Sequence, residues 1–341
     1  MADRLSTEVR SNLQAGAMIP IQPLALRVDG GLDEPGQRAL TRYYRDAGAG
    51  GLAVGCSTVP LGSLYRPLLR LTAAALSERK YLERDPLIRI AAVSGSTPLA
   101  VEEAGIAAEL GYHLALVDVG AVSNEPHQQL EHFGAIAAVM PVMAAAAGRA
   151  SAPIAYQTWR ELCETGHLAA IQLGGSNRRA TLDAIRAVRD SGLDRQIALY
   201  TGNDDSALLD LVCRFPLTAH KEEPRLRIVG GVLRTWGFWT RRWLDHFNES
   251  KRLIDLQLPI SRQYVELAMQ AADVSSAVLG DSPAGVLEIL RRQDLIEQVL
   301  MLDVDERLSA RQAAEIDRIY RDYTHLYDDP FVELHAEDWF A

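Results

Sequence analysis

Lysine is nearly missing from this chain of 341 residues: only Lys80, Lys221 and Lys251 carry an amine, and the other basic side chains are arginines. Acidic residues outnumber basic ones, for a net charge of −10. That balance does not suit nucleic acid, where clustered cations neutralise phosphates, or an anionic membrane surface. Cysteine is scarce as well. Cys56, Cys163 and Cys213 stand far apart and in no Cys-x-x-Cys or Cys/His spacing, so neither a disulfide framework nor a structural zinc is expected. No apolar run approaches the ~20 residues that a spanning helix needs. Met1-Ala2-Asp3-Arg4 is not followed by an apolar core, so no signal peptide is expected, and a reducing cytoplasmic location is the default.

What is present is ordinary for a globular protein: 48% hydrophobic and 23% charged residues. Short apolar runs alternate with amphipathic stretches rich in Ala, Leu and Arg, the pattern of repeated βα units around a parallel sheet. The runs at 18–26, 51–55, 88–93, 114–119, 140–145, 168–173, 196–200 and 227–232 read as strands. Helical stretches follow each of them, at 34–47, 67–77, 98–110, 128–139, 158–164, 178–191, 206–214 and 235–250. Gly111 and Gly192 fall just past helix ends, where a left-handed cap favours glycine. Eight such units make a TIM barrel. After about residue 255 the alternation stops and helical periods take over at 259–279, 282–300 and 309–323, the last opened by the cap Ser309-Ala310-Arg311-Gln312. We therefore expect an α/β protein, a (β/α)8 barrel over 1–254 and a helical C-terminal extension over 255–341. The tail from Tyr327 to Ala341 has no clear period.

Several fragments, in order, resemble the dihydrodipicolinate synthase / N-acetylneuraminate lyase family, the pyruvate-handling class I aldolases. Ala49-Gly50-Gly51-Leu52-Ala53-Val54-Gly55 resembles the second strand entering that family's Gly-Thr-Thr-Gly-Glu turn. Ser94-Gly95-Ser96-Thr97 resembles the turn after strand three. Asn124-Glu125-Pro126 with Leu130-Glu131-His132-Phe133 resembles the segment after strand four. Tyr200-Thr201-Gly202-Asn203-Asp204-Asp205 resembles the Gly-Asp-Asp turn after strand seven, and Val229-Gly230-Gly231-Val232 the eighth strand. The resemblance covers roughly residues 19–300. It implies a TIM barrel with a helical extension, a homo-oligomer, and a small carbonyl or carboxylate substrate held at the barrel mouth.

The departures are as consistent as the matches. In His167-Leu168-Ala169-Ala170-Ile171-Gln172-Leu173, which resembles the sixth strand, Gln172 stands where the family carries its Schiff-base lysine. A carboxamide has no basic lone pair and forms no imine. The threonine pair is Cys56-Ser57-Thr58 with no Gly-Glu after it. Where a proton-relay tyrosine should lie, residues 143–146 hold only Met and Ala. Ala121, Val122 and Ser123 replace the tyrosines expected before Asn124. Lys80 and Lys251 follow helices, and Lys221 falls between helix seven and strand eight, so none is placed to take over.

Ligands of this fold meet residues at strand C-termini and in the loops after them. That rule nominates Gln22, Ser57, Thr58, Ser94, Asp118, Gln172, Tyr200, Asn203 and Asp204. Gln172 could orient a substrate carbonyl through its amide, or could be an isosteric core filler. Ser57 and Thr58 could hold a carboxylate, with Ser94 and Asn203 beside it, or could simply end their strands. Asp118 could be a base of raised pKa or an ionised cap. Asn203-Asp204-Asp205 also suits a helix N-cap. Tyr200 is the phenol best placed to replace the lost relay, with Tyr156 second. His132 reads as helix packing. Trp236, Trp239 and Trp243 share a helical face and read as core or interface. Arg178 and Arg179 could meet an anion or be solvated. No His pair has metal-ligand spacing and no Gly-x-Gly-x-x-Gly is present, so no metal and no cofactor are expected.

The expected activity is a lyase, cyclisation or isomerisation step on a small carbonyl or carboxylate metabolite, without a covalent intermediate. Tyr200, Asp118 and Gln172 would be its catalytic candidates, and Ser57, Thr58, Gln172, Ser94 and Asn203 its binding candidates. Specialised biosynthesis would be a natural home. The alternative is a catalytically silent paralogue that binds a ligand or a partner subunit.

Overall fold

The computed structural model describes residues 5–81, 86–118, 120, 122–123, 125–145, 154–174, 178–215 and 226–341. The chain opens with helix α1 (Thr7–Ala15), started by Ser6, whose hydroxyl accepts the Val9 N–H at 3.2 Å. Alternation follows at once: β1 (Met18–Pro20), α2 (Glu34–Ala47), β2 (Gly51–Val54), α3 (Tyr65–Leu76), β3 (Ile88–Val93), α4 (Thr97–Glu109), β4 (Leu114–Asp118), α5 (Pro126–Ala137), β5 (Val142–Ala145), α6 (Tyr156–Glu164), β6 (Leu168–Leu173), α7 (Arg178–Ser191), β7 (Ala198–Thr201) and α8 (Ala207–Val212). A small antiparallel pair, β8 (Arg214–Phe215) with β9 (Leu226–Arg227), precedes the eighth barrel strand, β10 (Gly230–Leu233). Helix α9 (Thr240–Asp255) completes the eighth unit, and α10 (Arg262–Leu279), α11 (Ala284–Arg292), α12 (Ala310–Asp322) and α13 (Asp329–Phe340) follow.

The eight barrel strands are parallel, in the order β1-β10-β7-β6-β5-β4-β3-β2. The remaining seam between β1 and β2 is sewn by Gly50 N to Met18 O at 3.0 Å and Gln22 N to Ala53 O at 2.9 Å. The sheet is thus a (β/α)8 barrel. Side chains alternate along each strand, and the inward set includes Ile19, Ala53, Ile88, Ile90, Leu114, Leu116, Met143 and Val232, all buried in one cluster. Helix α1 stoppers the N-terminal end of this lumen. It drives Val9 and Leu13 into the same cluster, and its side chains Asn12 and Gln14 donate to the carbonyls of Pro86 and Gln196, which precede β3 and β7. The other end, at the strand C-termini, is where ligands of this fold meet the barrel.

Differences from the sequence reading have local causes. The first strand is three residues long, not nine: past it only the Ile21–Ala53 bridge continues the parallel pairing, and Pro23 then lacks the N–H a ladder needs. The helix expected over 282–300 stops at Arg292. There Asp294 takes a φ of 56°, a left-handed conformation that Asp tolerates, and Leu295 N–H turns back to the Leu290 carbonyl. Residues 293–309 then run as a non-helical strap. Ser309 caps α12 by accepting from Gln312 N at 3.0 Å. Trp236, Trp239 and Trp243 are all buried, and only Trp243 lies within α9.

Candidate active site at the barrel mouth

Strand alternation carries the inward-facing series of β4 (Leu114, Leu116) on to Asp118, and that of β6 (Ala170) on to Gln172. Gln172 is only 4% exposed. Its Nε2 donates to the Val232 carbonyl of β10 at 2.7 Å, spanning β7. It can do so because Gly202 lies between them, where any Cβ would stand 3.0 Å from the Gln172 Cγ. The amide thus ties two strands together, with one of its two N–H donors committed to that bond. Asp118 Oδ1 accepts the Gly120 N–H at 3.0 Å, which turns the chain out of β4.

The turn after β2 brings Cys56, Ser57 and Thr58 to a pocket of about 560 Å3, counting its solvent-open mouth. Arg234, the residue just past β10, lines the same pocket, with Ile21, Pro23 and Leu24 after β1 and a roof formed by the start of α11 and by Leu300, Met301, Leu302 and Glu306 of the strap. The roof is latched: Thr58 Oγ1 donates to Glu306 Oε2 at 2.9 Å. Ser57 Oγ accepts the Val59 N–H at 3.3 Å, so its own proton remains for a ligand. Burial pushes the Cys56 thiol up to about 11, against the pull of Arg234, so at neutral pH it stays protonated and is no thiolate nucleophile.

Arg234 was not among the sequence candidates. Its guanidinium makes no hydrogen bond or ion pair among the described residues, whereas most arginines of this chain hold a carboxylate. The Asp204 carboxyl lies in its field. That group is raised by burial and pulled back by the Thr235 N–H, which donates to it at 2.7 Å, and by Arg234. A half-buried guanidinium in an apolar pocket is a ready carboxylate receptor, with paired donors that match two oxygens. The signal was available: Arg234 is a charge two places beyond the inward-facing Val232 at a strand C-terminus. It fell into the gap left between the expected strand and the expected helix.

The other candidates lie elsewhere. Tyr200 is fully buried and donates to the Leu13 carbonyl of α1 at 2.8 Å, so its phenol points to the stoppered end, not the mouth. Burial raises its pKa well above the ordinary value. Asn203 donates to Asp210, a buried carboxylate that also collects Thr201 Oγ1 at 2.8 Å and Arg178 at 2.7 Å; this network clamps the turn after β7 to α7. The Ser94 backbone N–H donates to Glu103 Oε2 at 2.8 Å, and burial raises the Glu103 carboxyl. Gln22 is locked between Thr41 and the Gln37 carbonyl. Tyr156 holds Asp190 on α7, and His132 meets Thr97 of α4. The Arg179 guanidinium lies 3.9 Å from Asp183. Lys251 donates to the Ala15 carbonyl at the stoppered end and Lys80 is 4.0 Å from Glu78; Lys221 and Asn124 lie outside the described residues. Among the described residues no three His, Cys, Asp or Glu side chains gather as a metal would require, and no helix is long and apolar enough to cross a membrane.

Solved structures share this architecture. N-acetylneuraminate lyase from Fusobacterium nucleatum, solved with pyruvate, superposes with a TM-score of 0.72 at 15% identity over 92% of this chain and 99% of its own. DHDPS from Cyanidioschyzon merolae, solved with lysine bound, gives 0.72 at 19% identity over 90% and 98%. Dihydrodipicolinate synthase from Acinetobacter baumannii, also with pyruvate, gives 0.71 at 16% over 90% and 98%. The fold is theirs. No protein-family model matches the chain, and no curated protein matches it in sequence. At these identities the likeness is one of fold, and chemistry must be argued from the mouth itself.

Proposed function

We propose that this barrel is an enzyme of lyase, cyclase or isomerase type that binds a small carbonyl- and carboxylate-bearing metabolite at the mouth and works on it without an imine. The observation that carries the reading is Arg234, a guanidinium unpaired among the described residues that lines a pocket beside the Ser57 and Thr58 hydroxyls. In the reading, Arg234 fixes the carboxylate with Ser57 beside it, while Gln172 and Asp118, at the ends of β6 and β4 and outside the lining of that pocket, are the candidates for the reacting end. Fold kinship with a lyase solved with pyruvate supports the class of reaction. With glutamine at 172 and both described lysines away from the mouth, the rate would come from positioning and from preorganised hydrogen bonds. Nucleic acid, membrane, metal and cofactor have no part in this reading. A cytoplasmic homo-oligomer remains part of it; apolar side chains exposed at Leu256, Val265 and Met269 are compatible with a subunit contact.

A thermal-shift screen tests the reading, because a ligand of the folded state raises stability as RT ln(1 + [L]/Kd). We expect short 2-oxo acids to raise the melting temperature, and Ser57→Ala to weaken the effect. Borohydride added with pyruvate should leave the intact mass unchanged. A trapped adduct would contradict the imine-free mechanism. A folded protein that answers to no carbonyl or carboxylate compound would instead be the silent paralogue.

A further inference from the structure

We propose that the mouth pocket selects a monocarboxylate with an aliphatic tail, so that the ligand class is the apolar 2-oxo acids and not sugar acids or dicarboxylates. The inference rests on the reading above and names the substrate class of that same site. Nine of the fourteen lining residues are apolar, and the roof over the pocket is formed by Val286, Leu287, Leu300, Met301 and Leu302. Against this wall stands one guanidinium, Arg234. One cation neutralises one carboxylate. A second carboxylate would have to lie in the apolar remainder or beside Glu306, whose charge repels it. A sugar acid would bring several hydroxyls, each needing a partner once water is removed. The described pocket offers few: the Thr58 hydroxyl is already given to Glu306, which leaves the Ser57 hydroxyl and the weak Cys56 S–H. An alkyl tail has no such demand, and it gains free energy by displacing water from the leucine and methionine wall.

The test is a chain-length series on the intact protein, by calorimetric titration of 2-oxobutanoate, 2-oxopentanoate, 2-oxohexanoate and 2-oxooctanoate, with 2-oxoglutarate and 2-oxogluconate as polar competitors. Affinity should rise about fourfold per methylene, the factor that corresponds to about 0.8 kcal/mol per buried CH2. Both polar acids should bind at least about tenfold more weakly than 2-oxohexanoate, the difference expected from one unpaired buried polar group. Leu302→Ser should flatten the series. If that variant does not fold, the wild-type series decides alone. A flat series, or tightest binding of 2-oxoglutarate, with binding still lost in Arg234→Gln, overturns the tail selection and leaves the proposed function standing. No binding by any of the acids overturns both.

Discussion

Gln172 serves the barrel wall as well as the proposed site. Its amide nitrogen is held by the Val232 carbonyl inside the barrel wall, so Gln172→Leu, of similar bulk, should leave that carbonyl unsatisfied. We expect a loss of about 1 to 3 kcal/mol in denaturant unfolding. Loss of binding with no change in stability would instead make the amide a pure ligand contact. A second residue sets part of the pH response. Burial, with the Arg89 charge nearby, lowers the His113 imidazole from 6.5 to about 4, and the ring accepts the Arg89 N–H at 3.1 Å. The folded state therefore prefers the neutral ring. That preference stabilises the protein above pH 6.5 and is lost as pH falls toward about 4, by at most about 3 kcal/mol. His113→Asn should make the acid side of the stability–pH curve shallower; an unchanged slope would remove His113 from the account.

At the scale of elements, what could be read in the sequence follows from how much each element buries. Helices such as α2 and α7, with several buried positions each, announce themselves by period. Helix α13 buries only Val332 and Trp339, and α1 only Val9 and Leu13, so neither stands out as an amphipathic pattern. Yet α13 is well anchored. Trp339 is fully buried, its ring 5.3 Å from that of Tyr43, and its Nε1 donates to Asp46 at 2.8 Å. Trp339→Ala should cost about 3 to 5 kcal/mol, read by chemical denaturation. A cost below about 1 kcal/mol, the size of a surface substitution, would mean that the tail packs only loosely.

At the scale of the molecule, the barrel was legible because eight βα units and their turn glycines leave a repeated trace. The site was legible only in part. Ser57 and Thr58, in the turn after β2, line the pocket. Tyr200 points the other way because α1, invisible to the pattern, offers it a carbonyl. Arg234 escaped because its proposed importance lies in having no hydrogen-bond or ion-pair partner among the described residues, which only the packed structure displays. The strap over the pocket depends on contacts between residues as distant as Thr58 and Glu306, a pairing no local pattern encodes. The central claim is that Arg234 receives a carboxylate at the mouth. Titration of 2-oxohexanoate into the wild type and into Arg234→Gln tests it most directly, with the melting temperatures of the unliganded proteins compared alongside. The account predicts saturable binding to the wild type, at least about tenfold weaker in the variant, as for a lost charge-assisted pair, at an unchanged melting temperature. Equal affinity in the two proteins would contradict it.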